Sequence, residues 1–235
     1  MKTHSCGCVT GPDPASGVTR SYGKCSHHVQ FLADQPQGED YYKTLGIFDE
    51  NGAIQSAKYV AELESVIGPL PTCPQQFASR RVTEALEIGG GVSPYVAAVQ
   101  AAGYQYLGVE PDRWAAEKTA HVYGVEVRCE PYSAQSFYPE SFDLILAAHC
   151  LEHMPDAPGA VADMYRHLLP GGHLVLVVPD DSDKTNPDHL WFFNDRTLCS
   201  VLVRAGFEVV RLGVRRGNDR ENFIYCVARK PDAAH

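Results

Sequence analysis

Residues 85–110 read ALEIGGGVSPYVAAVQAAGYQYLGVE. An apolar run ends in three glycines, an Ala-rich stretch follows, and a second apolar run closes on an acid. The first run has the composition of a buried strand. The Ala-rich stretch reads as a helix, with Ser93 as N-cap, Pro94 at the first position and Gly103 as the C-terminal stop. A glycine turn between strand and helix lets the backbone approach a ligand and aims free N–H groups at it. Strand, turn, helix, strand is the repeating unit of a parallel α/β sheet.

The alternation continues outward from this unit. Residues 81–88 are its first strand and 104–110 its second. A helix over 111–124 is closed by Gly124, and a strand follows at 125–129. Residues 142–149 form a continuous apolar run, as expected of a strand buried on both faces. A helix over 156–172 is stopped by Pro170-Gly171-Gly172, with a strand at 173–179. A helix over 194–206 is capped by Asn194 or Asp195. Residues 207–214 and 222–229 make an antiparallel pair of strands at the sheet edge. The fold class is therefore α/β, a doubly wound sheet. Ligands of such sheets sit at the carboxyl ends of the strands, here just after Ile88, Glu110, Cys129, Ala148 and Pro179. Upstream, residues 39–67 look helical in two pieces broken at Asn51-Gly52, and 68–74 are a linker. The glycines and prolines of 1–38 mark that segment as loop-like. Three regions result: a loop-rich Cys/His segment at 1–38, a helical lid and linker at 39–74, and the α/β domain at 75–235.

The formal net charge of the 235-residue chain is -9. That surface repels nucleic acid and anionic membranes, so neither is an expected partner. No apolar stretch approaches the roughly 20 residues of a membrane span. The first residues lack the apolar core of a signal peptide, so the cytoplasm is the expected compartment. The oligomeric state leaves no mark in the sequence. The eight cysteines are expected to be reduced there. Cys129, Cys150, Cys199 and Cys226 fall in apolar or periodic stretches and read as small core residues. Cys6, Cys8 and Cys25 cluster in a segment that cannot pack a core.

The chemistry of the glycine turn narrows its ligand. A dinucleotide fingerprint places glycines at the first, third and sixth positions. Gly89 and Gly91 fit, but the sixth position is Pro94, which has no N–H for a pyrophosphate. Glu87 would repel a diphosphate and favours an ammonium group. Glu110, closing the second strand, is placed to accept from both hydroxyls of a ribose.

Three stretches, EALEIGGGVSPYVAAVQAAGYQYLGVE (84–110), SFDLILAAHCLEHMPD (141–156) and HLLPGGHLVLVVPD (167–180), resemble the successive motifs of class I S-adenosylmethionine-dependent methyltransferases. The likeness runs from about residue 80 to 229, with the motifs in order. It implies a seven-stranded, Rossmann-like sheet that binds S-adenosylmethionine, so that 75–235 becomes the cofactor-binding methyltransferase domain. By position, Glu87, Gly89, Gly90 and Gly91 would hold the methionine moiety, and Glu110 with Pro111 the ribose. Glu130 would lie near the adenine amino group, and Ala148 and His149 would line the pocket. The chain departs from the family in having Glu rather than Asp at 87, glycine at 90, and Pro131 where a backbone N–H often meets adenine.

Methyl transfer from a sulfonium needs alignment, and a base only when the acceptor must lose a proton. His149, after the fourth of the sheet strands, and His189, in a loop that often covers the acceptor, are the candidate bases. His153, Trp191 and Phe192 join His149 as acceptor-side candidates. His153 could instead fix its loop, and Trp191, Phe192 and Phe193 could instead pack the next helix. Tyr41 and Tyr42 either cap the cofactor or pack.

Cys6, Cys8, Cys25 and His28 (or His27) could supply four ligands to a structural zinc. The stretch KCSHHVQFLADQPQGEDYY (24–42) resembles the N-terminal zinc module of some bacterial methyltransferases, sugar C-methyltransferases among them. The expected activity is methyl transfer to a small, sugar-like or biosynthetic acceptor. The alternatives are a nicotinamide-dependent oxidoreductase, disfavoured by Glu87 and Pro94, and a zinc-dependent binding or regulatory protein on the same fold.

Overall fold

The computed structural model describes residues 2–3, 9–12, 19–22, 38–72, 84–180, 189–216 and 222–233. Three short strands come first, β1 (Lys2–Thr3), β2 (Val9–Pro12) and β3 (Thr19–Tyr22). The helices α1 (Gly38–Thr44) and α2 (Ser56–Ile67) follow. The α/β unit then runs β4 (Glu84–Ile88), α3 (Val96–Ala101), β5 (Gln105–Val109), α4 (Arg113–Tyr123) and β6 (Glu126–Arg128). Next come β7 (Phe142–Ala148), a 3-10 turn (Leu151–His153), α5 (Ala157–His167) and β8 (Leu168–Pro179). The chain closes with β9 (Trp191–Phe192), α6 (Asp195–Arg204), β10 (Glu208–Arg216) and β11 (Asn222–Arg229).

Seven strands form one sheet in the order β10-β11-β8-β7-β4-β5-β6. β4, β5, β6, β7 and β8 are parallel, and β11 lies antiparallel between β8 and β10. This is the seven-stranded Rossmann-like sheet expected above. Strand order reverses between β4 and β7, so the carboxyl ends of those strands mark the switch point where ligands bind.

Side chains alternate across the sheet, and each face has its own core. Leu86, Ile88, Ile145, Ala147, Leu174 and Leu176 pack against Val161 and Met164 of α5 and Leu198 and Leu202 of α6. On the other face, Ala85, Leu144, Leu146, Val175 and Val177 pack against Leu63 and Ile67 of α2 and Val96 and Val99 of α3. Glu87 has the parity of Ala85. It therefore projects into the second, apolar face, opposite Gly108 of β5 and Leu146 of β7 in register.

Several expectations change. The segment 1–38 contains the strands β1–β3, and β3 pairs antiparallel with β9, Thr19 with Phe192 and Arg20 with Trp191. The first helix of the unit begins at Val96 with Tyr95, not Ser93, at its N-cap; the Ser93 oxygen accepts from Tyr95 N–H at 3.1 Å, and its hydroxyl donates as described below. The helix read over 156–172 ends at His167, and β8 starts at once. Cys226 is buried, Cys150 and Cys199 are half-buried, and Cys129 is exposed in the loop after β6, so only one of the four is a core residue. Cys6, Cys8, Cys25, His27 and His28 lie outside the described residues. Among the described residues, no helix is long and apolar enough to cross a membrane.

Side-chain caps fix the helix starts near the sheet. Asp112 accepts from Ala115 N–H at the head of α4, and Asp156 from Gly159 N–H at the head of α5. Asn194 and Thr197 form a reciprocal capping box on α6. Asn194→Ala is expected to lower the unfolding free energy by about 1 kcal/mol, and so the midpoint by about 2–4 °C. Thermal denaturation followed by circular dichroism checks this; an unchanged midpoint would contradict the capping role.

Candidate active site

β4 delivers the chain to the glycine turn at residues 89–91. Gly89 (φ 63°) and Gly91 (φ 56°) both adopt the left-handed region, which a side chain would strain. There is no room for one either. A Cβ on Gly89 would lie 2.6 Å from Cys150 Cβ, and one on Gly91 2.8 Å from the Tyr42 ring.

Glu87 is 1% exposed. Its Oε2 accepts from the Ser93 hydroxyl at 2.6 Å and the Tyr106 hydroxyl at 2.7 Å. Gly108 leaves space for the latter, because a Cβ there would come within 3.0 Å of the Tyr106 oxygen. Oε1 is buried and has no hydrogen-bond partner among the described residues. A Cβ on Gly90 would sit 3.1 Å from that oxygen, so the unsatisfied acceptor abuts the glycine turn. Burial pushes the carboxyl pKa up, and the two hydroxyls oppose that shift.

Glu110, also buried, ties the turn to the next helix. Its Oε2 accepts from Gly91 N–H and its Oε1 from Asp112 N–H, each at 2.8 Å. Burial pushes its pKa up to about 7, although these two amides pull the other way. Thr119 of α4 donates to Gly91 C=O at 3.1 Å and accepts from Ser93 N–H at 3.1 Å. Tyr42 of α1 covers the turn, its ring stacked 5.5 Å from that of Trp114. Pro111 is half-buried beside Glu110, and its carbonyl accepts from the Cys129 thiol at 3.7 Å. Glu130 is exposed on the loop after β6 and does not join the two buried acids.

A second cluster lies at the end of β7, beyond the half-buried Ala148. His149 holds a left-handed backbone (φ 55°), uncommon for a residue with a side chain. Its N–H donates to Val177 C=O at 2.8 Å, and its ring meets Phe223 edge-on at 4.8 Å. Enclosure between these groups and the neighbouring His153 pull its pKa down to about 4. With 41% of the side chain still open to solvent, water moderates that shift. The imidazole is neutral at pH 7.

Glu152, 2% exposed, has Oε1 at 4.0 Å from His149 Nδ1 and 3.9 Å from His153 Nε2. Its Oε2 is buried with no hydrogen-bond partner among the described residues. The His189 ring lies 5.0 Å from that of His153. Two hydrogen bonds fasten the His189 segment here: Leu190 N–H to Glu152 C=O and Trp191 Nε1–H to Met154 C=O, both 2.8 Å. Trp191 is 2% exposed and packed in the first-face core. Of the two readings, packing describes its position. Phe192 is buried too, 6.2 Å from the His189 ring.

Tyr106, Ser93, Thr119, Trp114 and Glu152 were not among the sequence-derived site residues. Tyr106 could have been found, since it shares Glu87's parity on the neighbouring strand. The others depend on tertiary approach of α4 and the 3-10 turn.

A family model described as "Methyltransferase domain" matches residues 24–212. An uncharacterized methyltransferase of Mycobacterium marinum is 38% identical over 151 residues, 63% of this chain and 53% of its own length. One of Mycobacterium avium is 38% identical over 95 residues, 39% of this chain and 37% of its own length. The chain thus spans about half or less of the curated relatives it matches. Among solved structures, 1,6-didemethyltoxoflavin-N1-methyltransferase of Burkholderia thailandensis, with bound 1,6-didemethyltoxoflavin and S-adenosylhomocysteine, superposes with TM-score 0.61. It is 20% identical, with 96% of each chain covered. That likeness is one of fold. With its strand order, its glycine turn between two buried acids and a family match over most of its length, the chain belongs to the methyltransferase-domain family.

Proposed function

We propose that the protein binds S-adenosylmethionine across the glycine turn and transfers its methyl group to a small-molecule acceptor held beside His149. The observation that carries this reading is the buried, unpartnered Oε1 of Glu87 next to Gly90. A carboxylate oxygen in that state lacks a donor, and an ammonium group supplies one. The backbone of residues 89–91 would then cradle the amino-acid moiety. Glu110, with two lone pairs still free after its two amide bonds, would accept from ribose hydroxyls. Pro111 and Glu130 extend the same rim on the nucleoside side. When bound, the cofactor supplies an electrophilic methyl on a sulfonium.

The protein's own residues then position and desolvate. Tyr42 and Trp114 close the turn from above. His149, neutral at pH 7, can take a proton from an acceptor O–H or N–H, and His189 and His153 border the same space. The Burkholderia neighbour acts on a small molecule by its name, which supports an acceptor of that size. A sugar-like or biosynthetic acceptor rests on the N-terminal resemblance alone.

Calorimetry with S-adenosylhomocysteine is expected to give one site per chain. Absence of binding, with NADH bound instead, would overturn the reading. Glu110→Gln is expected to weaken that site about tenfold, near 1.4 kcal/mol.

The pH dependence carries a sign. Glu110's pKa in the folded protein, about 7, lies above its ordinary 4.5. The unliganded fold therefore gains from the protonated group fully below about 4.5 and loses that contribution as pH rises through about 7. Ribose hydroxyls favour the ionised group, so affinity for S-adenosylhomocysteine should rise through about pH 7. Titrations at several pH values should show that rise in the native protein and not in Glu110→Gln; equal slopes in both would contradict the assignment.

A further inference from the structure

We infer that Glu152, His153 and His189 form a binding site for a divalent transition-metal ion at the acceptor end of the sheet. One ligand atom from each of the three lies within 4.8 Å of the other two. Metal–nitrogen and metal–oxygen bonds of about 2.0–2.2 Å set ligand atoms about 3–4 Å apart, so the set closes by about an ångström of side-chain rotation. One carboxylate and two imidazoles make a mixed N/O donor set suited to Mn²⁺, Fe²⁺, Co²⁺ or Zn²⁺.

The second observation is independent of that spacing. Glu152 is 2% exposed and its Oε2 has no hydrogen-bond partner among the described residues. A buried carboxylate oxygen in that state is costly unless a donor or a cation meets it. The cluster is also preformed. The hydrogen bonds from Leu190 N–H and Trp191 Nε1–H lock the segment carrying His189 onto the turn carrying Glu152 and His153. That turn is helical only from Leu151 to His153, which brings residues 152 and 153 to one point without a regular helix.

Three protein ligands leave coordination positions open, as in catalytic rather than structural sites. His149 Nδ1 stands 4.0 Å from Glu152 Oε1, which puts the candidate base beside the carboxylate of the set. An oxygen donor, such as an acceptor hydroxyl, is the ligand class that fits there. That last assignment rests on the methyltransferase reading; metal binding itself does not.

The test uses the full chain without cofactor, with Mn²⁺ as the probe because thiolates of the N-terminal cysteines bind it poorly. Electron paramagnetic resonance of free Mn²⁺ is expected to show one ion taken up per chain. Glu152→Gln and His153→Gln should each weaken uptake at least about tenfold, while Cys25→Ser should leave it unchanged. Water-proton relaxation should be enhanced by the bound ion, reporting an exchangeable water at an open position. No uptake, uptake retained in both variants, or loss only in Cys25→Ser would overturn the site, and an unenhanced relaxation rate would overturn its openness. Calorimetry with S-adenosylhomocysteine on the same samples separates the two readings. Circular dichroism reports whether each variant is folded; should Glu152→Gln fail to fold, the part-exposed His153→Gln carries the test.

Discussion

A carboxylate buried on the apolar face of a sheet, one oxygen satisfied twice and the other not at all, is the constraint around which this molecule is arranged. Glu87 takes its place by strand parity, and its neighbours adjust. Gly108 makes way for the Tyr106 hydroxyl. Ser93 donates to the carboxylate while its oxygen accepts from Tyr95 N–H, and α3 starts at Val96. Leaving a buried acceptor unpaired costs about 1–3 kcal/mol. A ligand donor reaching that oxygen would remove this cost.

The two halves of the site are neighbours because β4 and β7 are neighbours. Glu87 and Glu110 shape the half at the end of β4 and β5, and the histidine cluster shapes the half at the end of β7. Cys150 joins them. Its Cβ packs where a Gly89 side chain would go, and its thiol donates to Ile88 C=O at 3.1 Å. Movement of the loop carrying His149 would therefore be felt at the glycine turn. The acids on one side and the imidazoles on the other differ in kind. The first suits cationic and hydroxyl donors, and the second suits proton acceptance or a metal.

Much of this was legible in the sequence. Period-two and helical patterning, with Gly124 and Asn194 as caps, place most elements of the α/β domain to within about five residues. Glu87, the three glycines and Glu110 lie where their sequence positions put them. What escaped has physical reasons. Ser93 satisfies the rule for an N-cap, yet its oxygen accepts from Tyr95 N–H just ahead of the helix while its hydroxyl donates to a buried carboxylate 2.6 Å away. Cys129 looked like core because it closes a run of alternating pattern, but the strand ends one residue earlier. β1–β3 are short and hold together by pairing, so local composition carries little trace of them. Glu152 sits inside a motif that gives no sign of its burial; only tertiary packing places it beside three histidines.

The most direct test of the central claim is amide hydrogen exchange with and without S-adenosylhomocysteine. Gly91 N–H and Asp112 N–H both end on Glu110, so ordering this carboxylate orders both loops. The account predicts slowed exchange across residues 89–95 and 110–115 on ligand addition, with α6 unchanged. Exchange unchanged in those two segments, or protection confined to elements away from the glycine turn, would contradict it.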